Sequence, residues 1–138
     1  KYKIEFVKEY ILPEAVFPDK LANKSILYFR VGNLNLVTTH LQSSYMKDVE
    51  YLAANEIKLL MKQSPFNQYI ITGDLNNPDA HIHINKTKNN YHTTWNNKIL
   101  DYIIPINYDN IKLKTNVSRR SIKNITDHNC LMSEINYL

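Results

Sequence analysis

The sequence predicts a single α/β layered domain. Three observations support this fold class: several apolar runs have the length and composition of strands, one segment carries a helical apolar stripe, and no internal repeat or linker divides the chain. A chain of 138 residues is long enough to bury one hydrophobic core but too short for two. We therefore expect strands that pack against one helix.

The first part of the chain predicts strands and a hairpin. Residues 1–24 mix apolar side chains with Pro13 and Pro18, which indicates a strand or two with an irregular connection. Gly32 and Asn33 then separate two β-rich runs, SILYFRV and LNLVTTHL. Because glycine adopts the positive φ that a two-residue hairpin turn needs, these runs predict an antiparallel hairpin.

Residues 46–62 predict the helix that covers the sheet. Their apolar side chains recur at steps of three, four and one, with Lys and Glu between them, which is typical of a helix with one apolar stripe. The stripe consists of Val49, Leu52, Ala53, Ile57, Leu60 and Met61.

The segment QYIITGD, residues 68–74, predicts a strand that is buried on both faces, because its apolar run is continuous and ends at a turn. Gly73 is one of only two glycines in the chain and stands directly before Asp74. A glycine lets the backbone leave the strand in a conformation that is barred to residues with a Cβ, and it leaves space beside the carboxylate. We therefore expect room for a phosphate next to Asp74.

The last third of the chain predicts a loop and two more strands. Residues 77–97 are polar and predict mostly loop, whereas KILDYIIP and HNCLMSEINYL read as strands. A basic stretch separates the two runs, and a solvated loop is its simplest interpretation, with a surface that follows a polyanionic backbone as the alternative. This stretch contains Lys112, Lys114, Arg119, Arg120 and Lys123.

Composition and charge narrow the function classes. The balance of 17 Lys and Arg against 13 Asp and Glu gives a net charge of +4, which mildly favours anionic partners such as phosphates or nucleic acid. The single cysteine, Cys130, can form neither an internal disulfide nor a zinc site by itself. No apolar run approaches the roughly 20 residues that span a bilayer, and the start lacks a signal-peptide pattern. We expect no membrane partner and favour an intracellular location.

Polar side chains fall at the ends of the predicted strands. His40 and Asp74 end their strands, whereas Asp101 lies early in its strand and Asp127 and His128 immediately precede theirs. If the strands that end with His40 and Asp74 run antiparallel to the strands that begin near Asp101 and His128, these side chains meet at one edge of the sheet. Taken singly, each has an ordinary structural interpretation as a turn residue, a surface histidine or a salt-bridge partner. Their conjunction predicts a site.

The chemistry of these groups is coherent. Oxygen ligands suit a hard divalent cation such as Mg²⁺. A carboxylate beside an imidazole fixes the ring tautomer and raises its basicity, so Asp101 next to His128 predicts a tuned general acid or charge stabiliser. The amide of Asn76 can hold a phosphoryl oxygen without changing the net charge.

The short motifs TTHLQS, IITGDLNN, TTW followed by ILDYII, and TDHNCL occur in this order along the chain. In order and spacing they resemble the endonuclease/exonuclease/phosphatase superfamily, which has the DNase I-like fold, over roughly residues 25–137. The residues of the TTHLQS and TTW motifs are most similar to those of the tyrosyl-DNA phosphodiesterase or related endonuclease branches. The resemblance implies the C-terminal part of a layered sandwich, with a mixed, mostly antiparallel sheet covered by a helix.

The resemblance also implies a role for each motif residue. Asp101 would orient His128, whose imidazole would stabilise the transition state, and Thr126 stands where the family usually has Ser. Asp127, with help from Asp74, would hold Mg²⁺ or Mn²⁺. The remaining catalytic roles are contact with the scissile phosphate for His40, alignment or activation of the nucleophile for Asp74, and phosphate binding for Asn76.

Three further residues are candidates for substrate binding. By its place in the TTW motif Trp95 would line the substrate groove, although a packing role is an equal alternative. Arg119 and Arg120 would follow a polyanionic backbone, with the solvated loop as the alternative.

One departure from the family concerns the metal site. The first half of the family domain supplies an Asn and the principal metal ligand, a Glu, and none of Glu5, Glu9 and Glu14 stands in the expected Gln-Glu setting. We therefore expect residues 1–138 to form one partial domain that lacks the family's N-terminal strands. Such a domain would bind metal more weakly and would leave one apolar face of its sheet uncovered.

The leading hypothesis is a metal-dependent phosphodiester hydrolase that acts on nucleic acid, truncated and inactive alone unless a separate chain donates the first half. The first alternative is a catalytically inactive fragment that binds a protein or a polyanion. The second is a phosphatase of the same fold. The missing metal Glu favours the inactive fragment, whereas the complete set of C-terminal site residues favours the enzyme.

Overall fold

The computed structural model describes residues 2–13, 21, 24–43, 50–84, 93–94, 98–118 and 126–138. Within these residues the chain forms a five-stranded sheet in the order β1-β2-β3-β4-β5 and a separate two-stranded sheet, β6-β7. The strands of the first sheet are β1 (Ile4–Ile11), β2 (Ser25–Val31), β3 (Leu34–His40), β4 (Tyr69–Asp74) and β5 (Asp101–Ile106). The strands of the second are β6 (Ile111–Ser118) and β7 (Cys130–Tyr137), and the helices are α1 (Glu50–Gln63) and α2 (Ala80–His83).

The first sheet is mixed. Three of its four pairings are antiparallel and only β3 and β4 run parallel. The predicted hairpin is present: Val31 pairs with Leu34 across a two-residue turn in which Gly32 has a φ of 59°. The predicted α/β fold with a mixed, mostly antiparallel sheet is thereby confirmed.

Helix α1 covers one face of this sheet. Ile57 and Leu60, two members of the predicted apolar stripe, are fully buried against Tyr28 of β2, Val37 of β3 and Ile71 of β4. Tyr28 donates a hydrogen bond from its hydroxyl to the carbonyl of Leu60 at 3.1 Å, which ties the helix to the sheet. The first four residues of the predicted helix, 46–49, lie outside the described part of the chain.

Strand β4 is buried on both faces. Tyr69, Ile70 and Ile71 are all buried, so both faces of the strand are covered, as its continuous apolar run predicts. Parallel pairing with β3 and antiparallel pairing with β5 place the end of β4 between the end of β3 and the start of β5. This arrangement creates the edge that carries the candidate site.

Two expectations from the sequence are corrected, and a third is refined. Within the polar segment 77–97, predicted to be mostly loop, Ala80–His83 form α2 and Ala80 is buried. The basic stretch is not only a solvated loop, because its first part is β6, where Lys112 and Lys114 point outward and alternate with less exposed neighbours. The strand after His128 does not join the first sheet; it is β7, which pairs with β6 and contacts β5.

Among the described residues, no helix is both long enough and apolar enough to cross a membrane.

Candidate functional site

Three polar side chains stand side by side at one edge of the first sheet. His40 at the end of β3 pairs with Asp74 at the end of β4, and Asp74 pairs with Asp101 at the start of β5. Residues that are opposite each other on neighbouring strands project to the same face of a sheet. The strand register therefore brings an imidazole and two carboxylates into one row.

The second imidazole reaches this row from the other sheet. His128 lies just before β7 and forms an isolated antiparallel bridge with Thr94. Its own N–H donates to the hydroxyl of Thr126 at 3.1 Å, and the next N–H, that of Asn129, donates to the carbonyl of Thr93 at 2.7 Å. The expectation that all strand ends lie on one sheet is therefore wrong for Asp127 and His128, yet their side chains still arrive at the same edge.

The four groups form a continuous chain of contacts. Nδ1 of His128 lies 2.8 Å from Oδ2 of Asp101, which is a hydrogen bond. On the other side of the ring, Nε2 of His128 lies 3.8 Å from Oδ2 of Asp74, and the same oxygen lies 3.7 Å from Nε2 of His40. Asp74 thus stands between two imidazoles, and Asp101 orients that of His128.

Exposure differs sharply among these groups. The side chains of Asp74 and Asp101 are 14% and 21% exposed, whereas that of His40 is 63% exposed. The side chain of Asp127 is 76% exposed, with Oδ1 at 3.9 Å from Nε2 of His128. The carboxylates at the base of the site are therefore shielded from water, while His40 and Asp127 form its outer rim.

These environments shift two pKa values. Burial by itself would lower the pKa of His128, but the hydrogen bond to Asp101 and the negative charges of Asp101, Asp74 and Asp127 outweigh it, so the pKa lies above the ordinary 6.5. Burial raises the pKa of the Asp74 carboxyl above 3.8; the Asn76 N–H opposes this rise, and the charge of Asp101 reinforces it. Each shift favours the protonated form of the group concerned.

Both shifts predict that the metal-free protein loses stability as the pH rises. A folded-state pKa above the unfolded value contributes stability that is complete below the unfolded pKa and is lost as the pH rises through the folded pKa. For His128 this loss begins above about 6.5. With EDTA present, we expect the urea concentration at the midpoint of unfolding to decrease as the pH is raised from 6 to 9. The decrease should be smaller in Asp101→Asn, because that change removes the main group that raises the pKa of His128. An equal pH dependence in the variant would contradict this account; His83→Gln, which changes a histidine of α2, is the control.

The turn after β4 holds Asp74 in a fixed orientation. The N–H of Asn76 donates to Oδ1 of Asp74 at 2.8 Å, so the other carboxylate oxygen is the one that faces the histidines. Asn76 has a φ of 47°, a conformation that Asn tolerates better than most residues, and its Nδ2 donates to the carbonyl of Leu41 at 2.9 Å. Asn76 is itself buried, so this hydrogen bond holds the turn in place.

The reason for Gly73 differs from the one expected. Gly73 has a φ of 125°, which other residues rarely adopt, but the space beside it is not open. A Cβ at this position would lie 2.0 Å from the backbone oxygen of Thr39 on β3. The glycine therefore permits close approach of two strands, and through it the pairing of His40 with Asp74, rather than room for a phosphate.

The donor set fits a divalent cation. Asp74, Asp101 and His128 each offer one ligand atom within 4.8 Å of the others. Asp127 is not a member of this group; its exposed side chain places Oδ1 3.9 Å from Nε2 of His128. The raised pKa of Asp74 reflects a carboxylate that is buried beside another negative charge. A bound cation would relieve that repulsion.

The proposed substrate-binding residues Trp95, Arg119 and Arg120 lie outside the described residues. The two described lysines of the basic stretch, Lys112 and Lys114, are on β6.

Sequence reasoning did not single out two residues that support the site. Lys24 is buried and donates from Nζ to the carbonyl of Leu41 at 3.0 Å, the same oxygen that accepts the amide of Asn76. Thr93 is fully buried and contacts the backbone on both sides of the Asp101–His128 pair. The TTW motif is a sequence signal for Thr93, whereas no local pattern distinguishes Lys24 from a surface lysine.

No protein-family model and no curated protein sequence matches this chain. Solved structures do match it. A beta toxin from Staphylococcus aureus with bound magnesium ions has a TM-score of 0.71 at 16% identity, covering 93% of this chain and 64% of that one. Sphingomyelinase C from Streptomyces griseocarneus has a TM-score of 0.57 at 16% identity, covering 94% of this chain and 61% of that one. TDP2 from D. rerio complexed with single strand DNA product has a TM-score of 0.56 at 15% identity, covering 96% of this chain and 68% of that one.

At these identities the likeness concerns the fold. The chain spans 64% of the beta toxin and 61% of the sphingomyelinase, so it corresponds to part of each domain. The matches include both sphingomyelinase and TDP2 structures, so they do not select the branch that the motif wording favours. The chain has the DNase I-like fold that these solved structures share.

Proposed function

We propose that this chain carries the catalytic edge of a metal-dependent phosphodiester hydrolase. The observation that carries the proposal is the placement of one buried carboxylate oxygen, Oδ2 of Asp74, between the Nε2 atoms of His40 and His128 at 3.7 and 3.8 Å. A base flanked by two imidazole donors suits a reaction in which a nucleophile loses a proton while negative charge grows on phosphoryl oxygens.

Each group has a distinct task in this proposal. Oδ2 of Asp74, which lies between the two imidazoles, accepts a proton from the attacking water. Asp101 accepts the Nδ1–H of His128 and keeps the ring protonated, so Nε2–H can donate to a phosphoryl oxygen. His40, at the exposed rim, contacts the same phosphate from the other side, and the amide of Asn76 supplies a neutral donor.

Asp127 and Asp74 would hold the divalent cation. When bound, Mg²⁺ or Mn²⁺ would neutralise charge on the phosphate and polarise its P–O bonds. Because Asp127 is largely exposed, its carboxylate can adjust to an incoming ion and substrate together.

We propose nucleic acid as the substrate class. The net charge of +4 favours a polyanion, and the D. rerio TDP2 structure of the same fold contains a single strand DNA product. Sphingomyelinase C also shares this fold, so a phosphodiester lipid is the competing substrate that the experiment must include.

A non-catalytic binding module is the second candidate. It is favoured by apolar side chains that stay exposed on β1, where Ile4 and Phe6 are 69% and 64% exposed. An apolar surface of this kind suits contact with another protein segment. A binding module would bind without turnover and would not require a metal.

The test measures metal binding and turnover separately. Mn²⁺ should broaden the NMR signals of the His128 and His40 rings, and Mg²⁺ should compete for the same site. Hydrolysis of bis-nitrophenyl phosphate, single-stranded DNA and sphingomyelin is then measured with Mg²⁺ and with EDTA. The sequence predicts a chain that is inactive without the first half of the family domain; turnover of the DNA and the small diester that EDTA abolishes would instead show that these residues suffice.

One variant connects the two measurements. Asp127→Asn removes a carboxylate from the metal site and should raise the Mg²⁺ concentration for half-maximal rate by about tenfold. Asp109→Asn, at an exposed turn after β5, is the matched control and should leave it unchanged. Binding of DNA without metal broadening or turnover would favour the binding module, and turnover of sphingomyelin alone would move the substrate class to lipids.

A further inference from the structure

We propose that Thr93 is a positioning residue that sets the distance between Asp101 and His128. The positioning role rests on the hydrogen bonds of Thr93, and its effect on the rate of catalysis rests on the proposed hydrolase function. The two partners are 27 residues apart in sequence and belong to the margins of different sheets, yet their side chains meet at 2.8 Å.

The hydroxyl of Thr93 holds the Asp101 side of the pair. Its Oγ1 accepts the N–H of Leu100 at 2.9 Å and the N–H of Asp101 at 3.1 Å. The side chain is fully buried, so water cannot replace these bonds without a rearrangement. One oxygen therefore fixes the backbone at the first residue of β5.

The backbone of the same residue holds the His128 side. The carbonyl of Thr93 accepts the N–H of Asn129 at 2.7 Å, and the neighbouring Thr94 forms the antiparallel bridge with His128. The chain at residues 93–94 thus behaves as a short strand placed between the two segments. Its side chain holds one segment and its carbonyl holds the other.

This link matters because no ladder joins the two segments directly among the described residues. β5 pairs with β4, and β7 pairs with β6. A displacement of about 1 Å in a catalytic group can lower a rate by about 10²-fold. A displacement of about 1 Å would also break the hydrogen bond between Asp101 and His128, which is 2.8 Å long.

A simpler interpretation is that Thr93 only stabilises the loop around residue 98. The same loop offers a matched comparison, because the hydroxyl of Thr94 accepts the N–H of Lys98 at 3.0 Å and makes no bond to Asp101. Thr94 is also buried, at 5% exposure. Loss of either hydroxyl would weaken the loop, but only loss of the Thr93 hydroxyl should move Asp101.

The experiment compares Thr93→Val, Thr93→Ser and Thr94→Val in the full chain. The first readout needs no activity: the hydrogen-bonded Nδ1 proton of His128 in the NMR spectrum. We expect it in the unsubstituted protein, in Thr93→Ser and in Thr94→Val, and we expect its loss or broadening in Thr93→Val. The second readout is turnover with Mg²⁺, where Thr93→Val should lower kcat about 10- to 100-fold with little change in KM, and Ser should restore it.

The outcomes separate this proposal from the proposed function. A folded Thr93→Val protein that keeps the imidazole proton signal, or a Thr94→Val protein that loses it equally, would overturn the positioning role. If Thr93→Val does not fold, hydrogen exchange in the unsubstituted protein decides: fast exchange of the Leu100 and Asp101 amides overturns the role, and protection of both supports it. Absence of turnover in the unsubstituted chain would count against the proposed hydrolase and leave the NMR comparison intact.

Discussion

Replacing His128 with glutamine is expected to lower the rate of phosphodiester hydrolysis by about 10²- to 10⁴-fold, the range that a positioned acid or base contributes. Glutamine keeps a polar group at the edge but cannot carry the positive charge that Asp101 stabilises on the imidazole. It also removes the donor that lies 3.8 Å from Asp74. The loss should therefore appear in kcat, because the charge is needed most when phosphoryl oxygens become more negative.

The measurement is the turnover of bis-nitrophenyl phosphate and single-stranded DNA under saturating Mg²⁺, with the pH varied. In the unsubstituted protein the rate should decline as the pH rises through the raised pKa of His128, and this decline should be absent from the residual rate of His128→Gln. The control is His83→Gln. A variant of His128 with unchanged kcat would remove the imidazole from the mechanism, whatever its distance from Asp74.

Replacing Gly73 with alanine is expected to destabilise the fold by about 3 kcal/mol or more, since backbone strain and overpacking each contribute about 1–3 kcal/mol. The φ of 125° is disfavoured for alanine, and the new Cβ would overlap the backbone oxygen of Thr39 at 2.0 Å. A backbone atom within a ladder cannot move aside as a side chain can, so β3 and β4 would have to separate at this end. The pairing of His40 with Asp74 would be lost with them.

The other glycine supplies the control. Gly32 also has a positive φ, 59°, but it lies in a hairpin turn, and the atoms nearest to its added Cβ belong to the side chain of Tyr2, at 3.1 Å and beyond. Gly32→Ala should therefore cost about 1 kcal/mol. Urea unfolding of both variants measures the difference. Equal losses would show that positive φ alone, and not the close approach of β3, accounts for Gly73.

Much of the fold follows from local sequence. The continuous apolar run before Asp74 predicts a strand that is covered on both faces, and β4 is such a strand. The stripe that includes Ile57 and Leu60 predicts the face of α1 that is buried. These predictions succeed because periodicity and turn chemistry depend only on neighbours along the chain. The segment of β6 carries the alternation of a half-exposed strand, but its place in a basic stretch favours interpretation as a solvated loop.

The features of the candidate site also fall into two groups: those that local sequence predicts and those that only the tertiary structure shows. The sequence by itself determined which polar residues stand at strand ends, because the length of an apolar run and the residues that follow it set the limits of a strand. Only the tertiary structure decided that His128 arrives from a second sheet, that Gly73 serves strand contact, and that Thr93 ties Asp101 to the segment of His128. These facts depend on pairings between segments far apart in the chain, and the hydrogen bonds and close contacts that select such pairings leave no periodic pattern in the sequence.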